Sequence, residues 1–119
     1  MRKSVVLLAM MAAAFVPSLA FAADVDVLEG APPADAKVVN VTIKGMKYDP
    51  ANLEIAPGTI VTWKNVDAIP HNVRLPAPVD VVGNMLRAGQ TMSLKFNAPG
   101  DYSYTCSPHP FMKGTVVVK

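Results

Sequence analysis

From residue 37 onward, apolar and polar side chains alternate in short runs with the period of two that marks half-buried β-strands. Val39, Val41 and Ile43 share one face, and Asn40, Thr42 and Lys44 the other. Leu53 and Ile55 repeat the pattern, Pro57-Gly58 marks a turn, and Ile60 to Lys64 adds a β-branched run with Val61 and Trp63 on one face. Asn65 to Pro70 reads as a turn into a short strand over 72–75. Pro76-Ala77-Pro78, Gly83-Asn84 and Ala88-Gly89 punctuate the next stretch, leaving room for one edge strand near Val79 to Val82. Met92, Leu94 and Phe96 then face one way, Pro99-Gly100 turns the chain, Tyr102, Tyr104 and Cys106 line a face of the next strand, and Val116 to Val118 close the domain. Short strands with turn signals about 8 to 12 residues apart predict an all-β sandwich with very little helix.

The first 36 residues follow other rules. Arg2 and Lys3 precede an apolar run of 12 residues, Val5 to Val16, and the small-residue site Ala20-Phe21-Ala22 follows. That is the layout of an export signal cleaved after Ala22. A membrane-spanning helix needs about 20 apolar residues, so the run predicts no permanent anchor. Residues 23–36 hold Asp24, Asp26, Glu29 and Asp35 with no Lys or Arg, and few bulky apolar residues after Leu28. Together with Pro32-Pro33 this predicts a loosely attached acidic arm ahead of a single domain over 37–119.

Charge excludes one class of function. Residues 23–119 carry nine basic and nine acidic side chains, without the strongly basic face expected of a nucleic-acid binder. Cysteine usage sharpens the question. A small exported domain usually leans on disulfides or a metal, and the one cysteine, Cys106, cannot form an internal disulfide.

Cys106, His109 and Met112 stand at C-x2-H-x2-M between two expected strands, and His71 lies 35 residues before the cysteine. Two imidazoles, a thiolate and a thioether form the donor set of a blue-copper site, with a trigonal His2Cys plane and a weak axial Met. Soft sulfur suits Cu(I) and nitrogen suits Cu(II), so a fixed compromise between them limits rearrangement when one electron is exchanged. A seven-residue loop can fold its first, fourth and seventh side chains around one point. Pro108 and Pro110 flank His109 and fix two φ angles, which lowers the entropy lost on closing that loop. Pro108 also lacks an N–H to donate toward the sulfur. The expected cofactor is therefore one copper ion. Met46, Met85 and Met92 have no such placement and read as packing residues.

Residues 41–119 resemble the cupredoxins, the type I blue copper proteins, and within them the amicyanin branch. The resemblance rests on Val61-Thr62-Trp63, on Pro70-His71-Asn72-Val73 and above all on the segment from Tyr104 to Gly114 with its valine run. It implies an eight-stranded Greek-key sandwich with copper near one end, and Asn72 tying the His71 strand to the cysteine loop. It also implies that His109, ringed by Pro76, Pro108, Pro110 and Phe111, is the edge through which electrons leave. Arg74, the Pro-rich 76–78 segment and a short span between His71 and Cys106 depart from that pattern. Redox proteins are the implied partners, a methylamine dehydrogenase as donor and a c-type cytochrome as acceptor; the export signal predicts a periplasmic setting, and a monomer is the default for a transient carrier. Sequence leaves copper carriage without electron transfer open, since the same ligands serve it. A cysteine hydrolase using Cys106 is disfavoured by the small size of the domain, and a zinc site by the methionine.

Overall fold

The computed structural model describes residues 23–119, so the expected export signal lies outside the described residues. The described residues form ten strands in two sheets, where eight strands were expected, with no helix among them. They are β1 (Val25–Leu28), β2 (Val38–Ile43), β3 (Tyr48–Asp49), β4 (Asn52–Ile55), β5 (Thr59–Asn65), β6 (Arg74–Leu75), β7 (Val81–Val82), β8 (Thr91–Phe96), β9 (Gly100–Thr105) and β10 (Lys113–Val118). One sheet has the order β1-β8-β5-β2-β3, the other β4-β10-β9-β6-β7. The pairs β2–β5 and β4–β10 are parallel and the rest antiparallel. The inward faces read from the alternation are core, with Val41, Ile43, Leu53, Ile55, Val61, Trp63, Leu94, Phe96 and Tyr104 all buried, and Val116 and Val118 of the closing valine run join them.

The N-terminal arm differs from expectation in its first part. Val25–Leu28 pairs with β8 from Val25↔Phe96 to Leu28↔Ser93, and Val25 is buried. Alternation in Asp24-Val25-Asp26-Val27 supplies a strand face, and Asn97 fastens it by donating to the Ala23 carbonyl and the Asp26 carboxylate. The strand expected over 72–75 shrinks to Arg74–Leu75, and the edge strand expected near 79–82 to Val81–Val82. Tyr48–Asp49 pairs with the end of β2 to close a hairpin the sequence did not signal.

Register places the site. Ile43 lies beside Asn65, and Thr105 beside Lys113, so β2, β5, β9 and β10 have an end in common. The connections 44–47, 65–71 and 106–112 therefore crowd one end of the sandwich. Beneath them Tyr104 packs edge-on against Tyr48 and Trp63, at ring-centroid distances of 4.7 and 5.2 Å. Edge-on aromatic packing gives the floor of this end a rigid shape.

Candidate metal centre

The 106–112 loop is built from two turns of equal span. His109 N donates to the Cys106 carbonyl (3.2 Å) and Met112 N to the His109 carbonyl (2.9 Å), while Cys106 N donates to the Met112 carbonyl (3.3 Å) and closes the ring. Each turn returns the chain after three residues, which is why the C-x2-H-x2-M spacing brings residues 106, 109 and 112 to the corners of one compact loop. Cys106 and Met112 are buried; His109 is partly exposed. β9 ends at Thr105, so Cys106 opens the loop instead of continuing the strand face of Tyr102 and Tyr104.

His71 enters from the other sheet's connection. Its backbone forms a two-way bridge with Leu86, N to O at 3.1 Å and O to N at 2.7 Å, and its side chain is fully buried. The imidazole Nδ1 lies 3.9 Å from Cys106 Sγ and 3.3 Å from His109 Nδ1, and the third edge, Cys106 Sγ to His109 Nδ1, is 3.5 Å. The point equidistant from these three atoms lies about 2.1 Å from each, close to the usual metal–nitrogen and metal–sulfur bond lengths of 2.0 to 2.3 Å. Two soft-to-borderline nitrogens and one thiol sulfur facing such a point suit copper.

Asn72 joins the two halves. Its Nδ2 donates to Ser107 Oγ (2.9 Å) and to the Gly83 carbonyl (3.0 Å), and its Oδ1 accepts from Ser107 N (2.7 Å). Tyr48 Oη donates to the Asn72 carbonyl at 2.6 Å, and burial pushes the phenol's pKa far up, so it stays a donor at any ordinary pH. We expect Asn72→Ala to lose about 2 kcal/mol of metal-free stability, since Ser107 N loses its acceptor in a part-buried place; urea unfolding measures this.

Two residues of the site were not singled out in the sequence. Asn65 is fully buried, and its Nδ2 donates to the carbonyls of Ile69 (3.0 Å) and Leu86 (2.8 Å) while its Oδ1 accepts from Asp67 N (2.9 Å), which sets the course of the 65–71 loop. Asp67 Oδ2 accepts from His71 Nε2 at 2.9 Å and from Met46 N at 3.0 Å, and its Oδ1 accepts from Gly45 N at 2.8 Å. Donation from Met46 N, then from Gly45 N, with a smaller part from His71, holds the Asp67 carboxyl below the usual carboxylate range. The available signal was an acid four residues before a candidate ligand.

Pro76 does not join the expected border of His109. Arg74 pairs with Thr105 and the chain then runs away from the cysteine loop, so Pro76 lines a cavity with Asp101, Tyr102 and Ser103. Phe111 does stand beside His109, at 5.9 Å between ring centroids, and is 67% exposed. Pro108 and Pro110 are exposed on either side of the imidazole in sequence. Ile69 and Met85, also exposed, adjoin the His71–Leu86 bridge and extend the apolar surface of this end.

Comparison with known proteins agrees with this geometry. Residues 35–119 match the family described as copper binding proteins, plastocyanin/azurin family. Amicyanin-alpha of Methylorubrum extorquens is 48% identical over 90% of this chain and 92% of its own length. Amicyanin of Paracoccus denitrificans is 44% identical over 72% of this chain and 68% of its own. Among solved structures, the reduced Cu(I) form of an amicyanin variant superposes with a TM-score of 0.72 at 37% identity, covering 81% of this chain and 99% of that one. The chain belongs to the plastocyanin/azurin family of copper-binding proteins, the cupredoxins, and its likeness within them is to the amicyanins.

Proposed function

We propose that the protein is a type I copper electron carrier in which His71, Cys106 and His109 would hold one copper ion and the buried Met112 would supply a weaker fourth donor. The observation that carries this reading is the triangle of Nδ1, Sγ and Nδ1 atoms, with edges of 3.3 to 3.9 Å, drawn from two separate connections. When bound, copper supplies a one-electron couple between Cu(I) and Cu(II). The chain's residues do the rest. His71 and Cys106 are buried, and the turn hydrogen bonds of 106–112 fix the donors before the metal arrives. Donors held in place cost little rearrangement when charge changes by one. Asn72 and Pro108 support the loop, one by hydrogen bonds and the other by its fixed φ.

His109 is the exit for the electron. Its ring is partly exposed and bordered by Phe111, with Pro108 and Pro110 adjoining it in sequence, an apolar surface able to shed water against a partner. We take those partners to be redox proteins, a dehydrogenase as donor and a c-type cytochrome as acceptor, and the setting to be the periplasm after removal of residues 1–22. Relatives of the amicyanin and plastocyanin kind support carriage of electrons over carriage of copper, and a function without catalysis at the metal. No described helix is long and apolar enough to cross a membrane.

Stopped-flow reduction and reoxidation separate the two roles. The electron-carrier reading expects repeated cycling without loss of copper to a competing chelator; transfer of the copper at each reduction contradicts it. A second prediction concerns the axial position. Met112→Ala keeps copper bound and raises or lowers the reduction potential, because a weak axial donor tunes the couple without holding the ion. Voltammetry reads the shift, and complete loss of copper binding would refute the assignment.

A further inference from the structure

We propose that Asp67 is the positioning residue that holds His71 in a single tautomer and, resting on the copper reading above, biases the bound ion toward Cu(II). Three donors converge on its two oxygens: Gly45 N at 2.8 Å on Oδ1, and Met46 N at 3.0 Å and His71 Nε2 at 2.9 Å on Oδ2. The two backbone amides can only donate and so favour the ionised carboxylate, which in that form accepts from all three. His71 therefore carries its proton on Nε2 and turns the lone pair of Nδ1 toward Cys106 and His109.

The carboxylate is itself fixed. Asn65 Oδ1 accepts from Asp67 N at 2.9 Å, and the Gly45-Met46 turn that clamps its oxygens has both residues at positive φ, 61° and 58°. Met46 keeps that uncommon backbone conformation while its N–H is directed at Asp67. His109 has a different environment: among the described residues its ring meets His71, Cys106 and Phe111, and no carboxylate bonds to it. One imidazole is thus anchored from behind and buried, the other is left at the surface. A carboxylate bonded to the outer nitrogen of a ligating histidine raises the ligand's basicity, and its negative charge favours the more positive metal.

No amide can replace it. Asparagine offers one acceptor oxygen where three N–H groups converge, so its NH2 must oppose at least one of them. In D67N we expect the copper-loaded protein to stay coloured with the reduction potential raised by about 59 mV, a tenfold loss of preference for Cu(II). D101N removes an equal charge from an exposed position at the start of β9, the end of that strand opposite Cys106, and leaves the potential unchanged. An unchanged potential in copper-loaded D67N, even with lowered thermal stability, overturns the biasing role and leaves Asp67 a loop fastener.

The tautomer is read without any metal. Long-range proton–nitrogen spectra of the metal-free wild-type chain are expected to show His71 protonated at Nε2 alone, with slow exchange of that proton. A proton on Nδ1, or a mixture of tautomers, overturns the proposal even if D67N does not fold. If wild-type protein takes up no copper into a coloured site, the copper reading fails instead, and the same spectra still decide whether Asp67 sets the tautomer.

Discussion

Cys106→Ser abolishes the intense visible absorption of the copper-loaded protein. The band arises from charge transfer between a thiolate sulfur and copper, and Cys106 is the chain's one cysteine, so no other side chain can restore it. The sulfur lies 3.5 Å and 3.9 Å from the two imidazole nitrogens, and its residue is only 1% exposed, so solvent and small thiols have little room to substitute. Serine keeps the shape of the side chain, and its hydroxyl can hydrogen-bond to either Nδ1, so metal-free stability should change by only about 1 kcal/mol. Copper affinity falls by more than about 100-fold, beyond what loss of a supporting residue costs. Copper titration followed by visible absorption and by thermal unfolding separates these effects. Retention of the band in the variant would remove the thiolate from the site.

Gly114→Ala has the largest expected effect on the fold. A Cβ at this position would fall on the ring and hydroxyl of Tyr104 and within 2.5 Å of the Ala51 carbonyl oxygen. None of these can step aside. Tyr104 Oη donates to that carbonyl at 3.0 Å, Thr115 N donates to it at 2.9 Å, and Tyr104 is wedged against Tyr48 and Trp63. Overpacking of this kind costs about 3 kcal/mol, a large part of the 5 to 15 kcal/mol that holds a small domain together. For a domain of this size the midpoint of thermal unfolding should fall by roughly 15 °C. Gly114 sits two residues beyond Met112, so the strain enters β10 where the loop rejoins the sheet. A variant as stable as wild type would show that the packing around Tyr104 is looser than described.

The meeting of His71, Cys106 and His109 was legible because cysteine and histidine are rare in this chain. One cysteine and two histidines leave few arrangements, and C-x2-H-x2-M matches the two three-residue turns that the structure closes with hydrogen bonds. The inward faces of β2, β4, β5 and β8 were legible for a similar reason, because a period of two survives wherever one face is buried and the other wet. Asp67 and Asn65 were not. Their meaning depends on Gly45-Met46 and Leu86, about twenty residues away in the chain, and an acid or amide in a turn has no pattern of its own. β1 was hidden by acidity, since Asp24 and Asp26 suggested solvent although Val25 between them is buried. Pro76 was misplaced because adjacency to a site strand does not reveal its direction. The Arg74↔Thr105 pairing carries the chain away from the cysteine loop.

X-ray absorption at the copper edge of the loaded protein probes the donor triangle directly. The account predicts one short sulfur and two nitrogens at about 2.0 to 2.3 Å, with the sulfur lost in Cys106→Ser. A first shell of nitrogen and oxygen alone in the wild-type protein would contradict it.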